Sequence, residues 1–147
     1  MILPQPTPVN QPSVNVRRYP VGAETMNDGV TSFRVWAPRR KRVDVGILPP
    51  TEEAGRPDRN ARSHAGPVRL SEWSDTLRLV ELAPDGDGYF AANVADVESG
   101  YRYGFRLDAG ERLYADPASR FQPNGPAGLS QVVDPARFSW TDAAWQG

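Results

Sequence analysis

The chain has no cysteine, one histidine (His64) and one lysine (Lys41) among its 147 residues. Without cysteine there is no disulfide framework, no thiolate nucleophile and no thiolate zinc site. A Ser-His-Asp mechanism would have to run through His64, which sits between Ser63 and Ala65 in a stretch without apolar period; a solvated loop histidine is the expectation. Lys41 lies inside the run Arg39-Arg40-Lys41-Arg42 with no glycine-rich turn before it, so a phosphate-binding loop is excluded. No apolar stretch approaches the roughly 18 residues of a membrane helix, and no basic segment leads into an apolar one. The expected compartment is therefore the cytoplasm. A formal net charge of -1 gives no general attraction to nucleic acid or to an anionic membrane, and neither is expected as a partner.

Proline and glycine are abundant instead. The 15 prolines and 13 glycines make about 19% of the chain, against roughly 12% in average proteins, so long helices are disfavoured and turns and short strands favoured. Residues 1–16 hold Pro4, Pro6, Pro8 and Pro12 among small polar residues, which predicts a disordered leader.

Beyond Gly29 the apolar period is two. Phe33 and Val35 alternate with Arg34 and Trp36 until Pro38, giving a first strand. After the basic run, Val43, Val45 and Ile47 share a face opposite Asp44 and Gly46, closed by Pro49 and Pro50. Residues 49–76 lack a sustained apolar period and suggest an insertion, with Ser71 a potential cap for a short helical turn at its end. Leu77 to Leu82 form a third strand, and the turn Ala83 to Gly88 leads into Tyr89 to Val94 as a hairpin. In Tyr101 to Leu107, Tyr101, Tyr103, Phe105 and Leu107 alternate with Arg102, Gly104 and Arg106. Asp108-Ala109-Gly110 turns this strand into Glu111 to Tyr114, and Gln131 to Val133 form a last short strand after a Pro/Gly-rich segment. The pattern predicts an all-β antiparallel β-sandwich compatible with immunoglobulin-like architecture.

Few residues carry chemistry. Asp85-Gly86-Asp87-Gly88 opens like a calcium loop, but Tyr89 occupies the next ligand position and no bidentate Glu follows, so it reads as a turn. No catalytic residue, metal site or cofactor is expected. A glycosidase carboxylate pair is defined by separation in space, so none can be nominated from sequence. The basic run reads as a solvated turn between two edge-like strands. Among 14 aromatic residues, Phe33, Phe90, Tyr101, Tyr103 and Phe105 take alternating core positions, leaving Trp36, Trp73 and Tyr89 as candidates to stack on sugar rings.

Phe33-Arg34-Val35-Trp36-Ala37-Pro38 resembles the opening of the N-terminal sandwich of α-amylase superfamily enzymes. Arg18-Tyr19-Pro20-Val21-Gly22-Ala23, Gly86 to Phe90, Tyr101-Arg102-Tyr103 and Asp116-Pro117-Ala118-Ser119-Arg120-Phe121-Gln122-Pro123 narrow it to the malto-oligosyltrehalose trehalohydrolase family. Ser130 to Pro135 and Phe138 to Asp142 continue the likeness. Glycogen branching and debranching enzymes share the first strand but differ after Tyr-Arg-Tyr.

The resemblance implies a non-catalytic domain at 17–114, an immunoglobulin-like sandwich of the early-set, carbohydrate-binding-module-like type. It also implies a segment 115–147 leading to a (β/α)8 barrel that carries the carboxylates cleaving an α-1,4 bond beside a trehalose unit. Such a barrel needs about 250 residues, more than this chain holds. The barrel is the implied partner, with maltodextrin or maltooligosyl trehalose as the sugar. Segment 115–135 then reads as a docking strap. Asp116, Arg120, Phe121, Gln122, Trp140 and Trp145 are docking candidates, with Arg120 either clamping a carboxylate or closing on Asp116. The alternative functions are an α-glucan-binding module or the N-terminal domain of a glycogen branching or debranching enzyme.

Overall fold

The computed structural model describes residues 16–26, 29–50, 67–73, 75–137 and 139. The expected leader, the heart of the 49–76 stretch with His64, and Trp140 and Trp145 lie outside the described residues. In chain order the strands are β1 (Gly22–Thr25), β2 (Val30–Trp36), β3 (Val43–Leu48), β4 (Val68–Arg69), β5 (Arg78–Glu81), β6 (Ala83–Pro84), β7 (Tyr89–Ala95), β8 (Arg102–Leu107), β9 (Arg112–Leu113) and β10 (Ser130–Gln131). No α-helix occurs among the described residues.

Two four-stranded antiparallel sheets face each other: sheet A in the order β1-β2-β7-β6, and sheet B in the order β10-β8-β3-β5. This is the expected sandwich. The period-two residues meet between the sheets: Phe33, Val35, Phe90 and Val94 from sheet A pack on Val43, Val45, Ile47, Tyr103 and Phe105 from sheet B. Phe33 meets Tyr103 edge-on at 5.1 Å between ring centroids, and Tyr103 meets Phe105 at 5.9 Å. Burying each such ring contributes about 1.5–3 kcal/mol.

Two connections differ from the sequence expectation. Segment 77–82 does not pair with β7; β5 pairs with β3 in sheet B, and the chain changes sheets at the buried Leu82, whose N–H donates to the Val43 carbonyl at 2.9 Å. β6 then forms the hairpin with β7. The turn between them needs left-handed backbone at Gly86, Asp87 and Gly88, and a Cβ on Gly88 would lie 2.6 Å from Pro38 Cβ. Second, β2 and β3 occupy the middles of opposite sheets, so the basic run bridges the sandwich. The backbone N–H groups of Lys41 and Arg42 donate to Asp108 Oδ1, holding that carboxyl below its usual range.

Every residue of β3 is buried, because sheet B is covered on both faces. Leu48, Leu113 and Leu129 form a second cluster on its outer side, joined by Val68, Leu70, Trp73 and Leu77. β4 pairs with β9 to make this cover, and Leu70–Glu72 is a 3-10 turn. Its cap position is Arg69 and has no side-chain hydrogen bond, so Ser71 does not cap. The cover fits because Gly46 and Gly104 lie opposite one another on β3 and β8, leaving a hollow for the leucines.

Candidate functional site

Asp116 organises the strap. Its Oδ2 accepts the Tyr103 hydroxyl at 2.6 Å, its Oδ1 accepts the Ala118 N–H at 2.8 Å, and its own N–H donates to Ser130 Oγ at 3.0 Å. With 3% exposure, the Asp116 side chain faces inward, unlike the outward anchor the sequence suggested, and it makes no bond to Arg120. Burial raises the Asp116 carboxyl above its ordinary range, against the pull of Tyr103 and Ala118; burial raises Tyr103 too, reinforced by the Asp116 charge. Ser130 pairs with Tyr103 through β10, and the Gln131 N–H donates to the Phe121 carbonyl at 2.9 Å. The strap is thus fastened at both ends. Between them Arg120 and Phe121 project outward, Phe121 with 49% exposure, while Gln122 is half-buried and donates to the Pro126 carbonyl. Arg120 clamps no described carboxylate; its guanidinium stacks 3.8 Å above the Tyr19 ring.

Beside Tyr19, on the outer face of sheet A, lies a cleft of about 580 Å3. Arg34 crosses it, bonded through Nε to Asp85 Oδ2 at 2.6 Å and through Nη1 to the Pro20 carbonyl, with its guanidinium 3.8 Å above the Tyr89 ring. This ion pair makes Asp85 a structural turn residue. Arg17 spans the floor, donating to the Ser32 and Gly22 carbonyls. Glu24 is buried beneath. Its burial works to raise its pKa, but the Arg18 guanidinium and the Arg18 and Tyr19 N–H groups outweigh this and hold it low. Trp36 lies directly across from Tyr89 in register, 60% exposed, its indole N–H donating to the Asp87 carbonyl.

Trp73 stands elsewhere, packed into the cover of sheet B. Trp73 and Tyr89 therefore form no single platform, since the cover belongs to the outer side of one sheet and Tyr89 to the other. Around Trp73 is a group that sequence reasoning missed. Arg102, only 7% exposed, places its guanidinium 5.0 Å from the indole centroid, and Gln131 pairs with it across β8 and β10. Trp73 Nε1, Arg102 Nε and Gln131 Oε1 are buried without hydrogen-bond partners among the described residues. Burial lowers the Arg102 pKa. Alternation sets Arg102 on the face opposite Tyr103 and Phe105, where the structure has it, but nothing in the period shows that this face is covered. Among the described residues no group of three or more His, Cys, Asp or Glu gathers as for a metal ion. No described helix is long and apolar enough to cross a membrane.

No family model matches the chain. Curated relatives do. Malto-oligosyltrehalose trehalohydrolase of Saccharolobus solfataricus is 31% identical over 121 residues, 82% of this chain and 16% of that protein. The Rhizobium sp. enzyme of the same name is 37% identical over 101 residues, 67% of this chain and 17% of its own length. A 1,4-alpha-glucan branching enzyme of Ralstonia nicotianae is 34% identical across 85% of this chain. Among solved structures, one assigned as an alpha amylase from Salmonella typhimurium superposes with a TM-score of 0.61 and 30% identity over 87% of this chain and 17% of its own. The fold and these relatives define the class: the chain is a β-sandwich domain of the amylase-family glycoside hydrolases. Within that class it is an N-terminal domain of the malto-oligosyltrehalose trehalohydrolase kind, and it spans about one sixth of the relatives it matches.

Proposed function

We propose that this chain is the non-catalytic sandwich of a cytoplasmic glycoside hydrolase that releases trehalose from maltooligosyl trehalose, and that it supports the catalytic (β/α)8 barrel. The observation that carries this reading is the strap. A Pro/Gly-rich segment is pinned inside by the buried Asp116 while Arg120 and Phe121 are turned out, an arrangement suited to presenting a second domain with a fixed surface. The chain alone should release no trehalose on incubation with maltooligosyl trehalose, and measurable release would overturn the non-catalytic reading. Removing residues 16–137 from the full-length enzyme should lower the melting temperature of its barrel.

A second reading, an α-glucan-binding module, is favoured by the unpartnered polar atoms around Trp73. An aromatic face, a guanidinium and an amide together match the apolar face and hydroxyl rim of a glucose unit. The exposed Trp36, with Tyr89 beside it, offers a separate aromatic surface. Titration with maltoheptaose should quench tryptophan fluorescence if either site binds. Loss of the response in Trp73→Phe would assign it to sheet B, in Trp36→Phe to sheet A. No response at millimolar sugar would dismiss the module reading.

A further inference from the structure

The supporting surface has a charge as well as a shape. On the solvent side of the sheet A cleft, Arg18 has only its Nε engaged, with Glu24, and Arg120 has no hydrogen bond or ion pair among the described residues. Both guanidinium groups flank the half-exposed Tyr19 ring, at 5.7 and 3.8 Å from its centroid. The one exposed carboxylate lining the cleft, Asp85, is already taken by Arg34 at 2.6 Å. Glu24 and Asp116 are buried beneath and bonded from within. Arg18 has Glu24 and, further off, Asp134 as counter-charges, whereas Arg120 is an exposed guanidinium with no carboxylate bound to it among the described residues, on a chain whose total charge is -1. Phe121 follows Arg120 and adds exposed apolar area. Guanidinium groups held on an aromatic ring are pre-organised for bidentate binding of carboxylates. The curated relatives are about six times longer than the matched segment, so in such a polypeptide the remainder is tethered to this domain and is present at high effective concentration.

We propose that the Arg18–Tyr19–Arg120 rim, with Phe121, is the docking face of this domain and that it engages an acidic face of the catalytic region of its own polypeptide. The proposal rests on the supporting role argued above and adds its location and partner chemistry. The test uses the full-length enzyme with Arg120→Glu, Arg120→Gln and, as an apolar probe, Phe121→Ala. In scanning calorimetry at low salt the unsubstituted enzyme should unfold this domain and the barrel in one cooperative transition. Arg120→Glu should lose that coupling and give two transitions, with Arg120→Gln intermediate and the contrast between them reduced at high salt. The isolated chain should melt at the same temperature with and without Arg120→Glu, which separates docking from folding. If deletion of residues 16–137 lowers the barrel's melting temperature but Arg120→Glu leaves the coupling intact, the acidic-face proposal is wrong and the supporting role stands. If deletion changes nothing, the supporting role itself falls. If Arg120→Glu instead dissolves a dimer of the isolated chain in sedimentation, the rim is a self-association surface and the proposal is overturned.

Discussion

Gly46 and Gly104, paired across β3 and β8, carry opposite consequences for the same added methyl group. A Cβ on Gly46 would lie 2.6 and 2.8 Å from the two Cδ atoms of Leu113. Those are the free ends of a side chain that can rotate. A Cβ on Gly104 would lie 2.9 Å from Leu129 Cδ2 and 2.9 Å from the Tyr114 carbonyl oxygen. That oxygen accepts the Phe105 N–H at 2.8 Å, while the Tyr114 N–H donates to the Phe105 carbonyl at 2.9 Å, so the backbone cannot retreat without opening both bonds. Neither glycine has a left-handed φ, and the effect is therefore one of space alone. Gly104→Ala should cost about 2–3 kcal/mol, the upper part of the overpacking range, and Gly46→Ala about 1 kcal/mol. Urea denaturation of the chain should show midpoints falling in that order with an unchanged slope. Leu113→Ala in the Gly46→Ala background should cost less than the sum of the two single changes, because the new methyl occupies part of the vacated volume. Equal stability of Gly104→Ala and Gly46→Ala would refute the reasoning.

Tyr103→Phe removes the hydroxyl on Asp116 and leaves a buried carboxylate oxygen without its donor; unfolding should show a loss of about 1.5–3 kcal/mol. Because burial raises the Asp116 carboxyl, the stability linked to its titration is present at low pH and lost as pH rises through the raised value. Relative to the unsubstituted chain, Asp116→Asn should therefore fare better as pH increases from acid to neutral. Glu24 is held low, so its stabilisation is present near neutrality and lost as pH falls through that depressed value; Glu24→Gln should show its deficit at neutral pH and lose it in acid. Parallel pH profiles for the two variants would contradict these assignments. Trp36→Ala removes the indole bond to the Asp87 carbonyl and the part of the ring that is covered, so chemical denaturation should show a loss of about 1 kcal/mol.

The four long strands β2, β3, β7 and β8 were legible because each repeats its apolar residues over six or seven positions. β1, β4, β6 and β9 were harder: two to four residues are too few for a period, and their pairing is set by distant partners. The sheet change at Leu82 leaves no local mark, since an apolar residue before a turn looks the same in either sheet. The burial of Arg102 and Asp116 leaves no local mark either, for one reason. Both are polar residues whose burial follows from cover supplied elsewhere in the chain: Trp73 and Gln131 over Arg102, Tyr103 and Ser130 around Asp116. Trp36, Arg120 and Phe121, by contrast, are exposed, the first beside a turn and the other two in an irregular segment.

Solvent labelling of Tyr19 and Phe121 by hydroxyl radicals is the most direct test of the supporting role and its location. Both rings are open to solvent in the isolated chain. In the full-length enzyme both should be protected, with Trp36 labelled as before. Equal labelling of Tyr19 and Phe121 in the chain and in the enzyme would show that the strap face meets no partner, contradicting the docking role assigned to it.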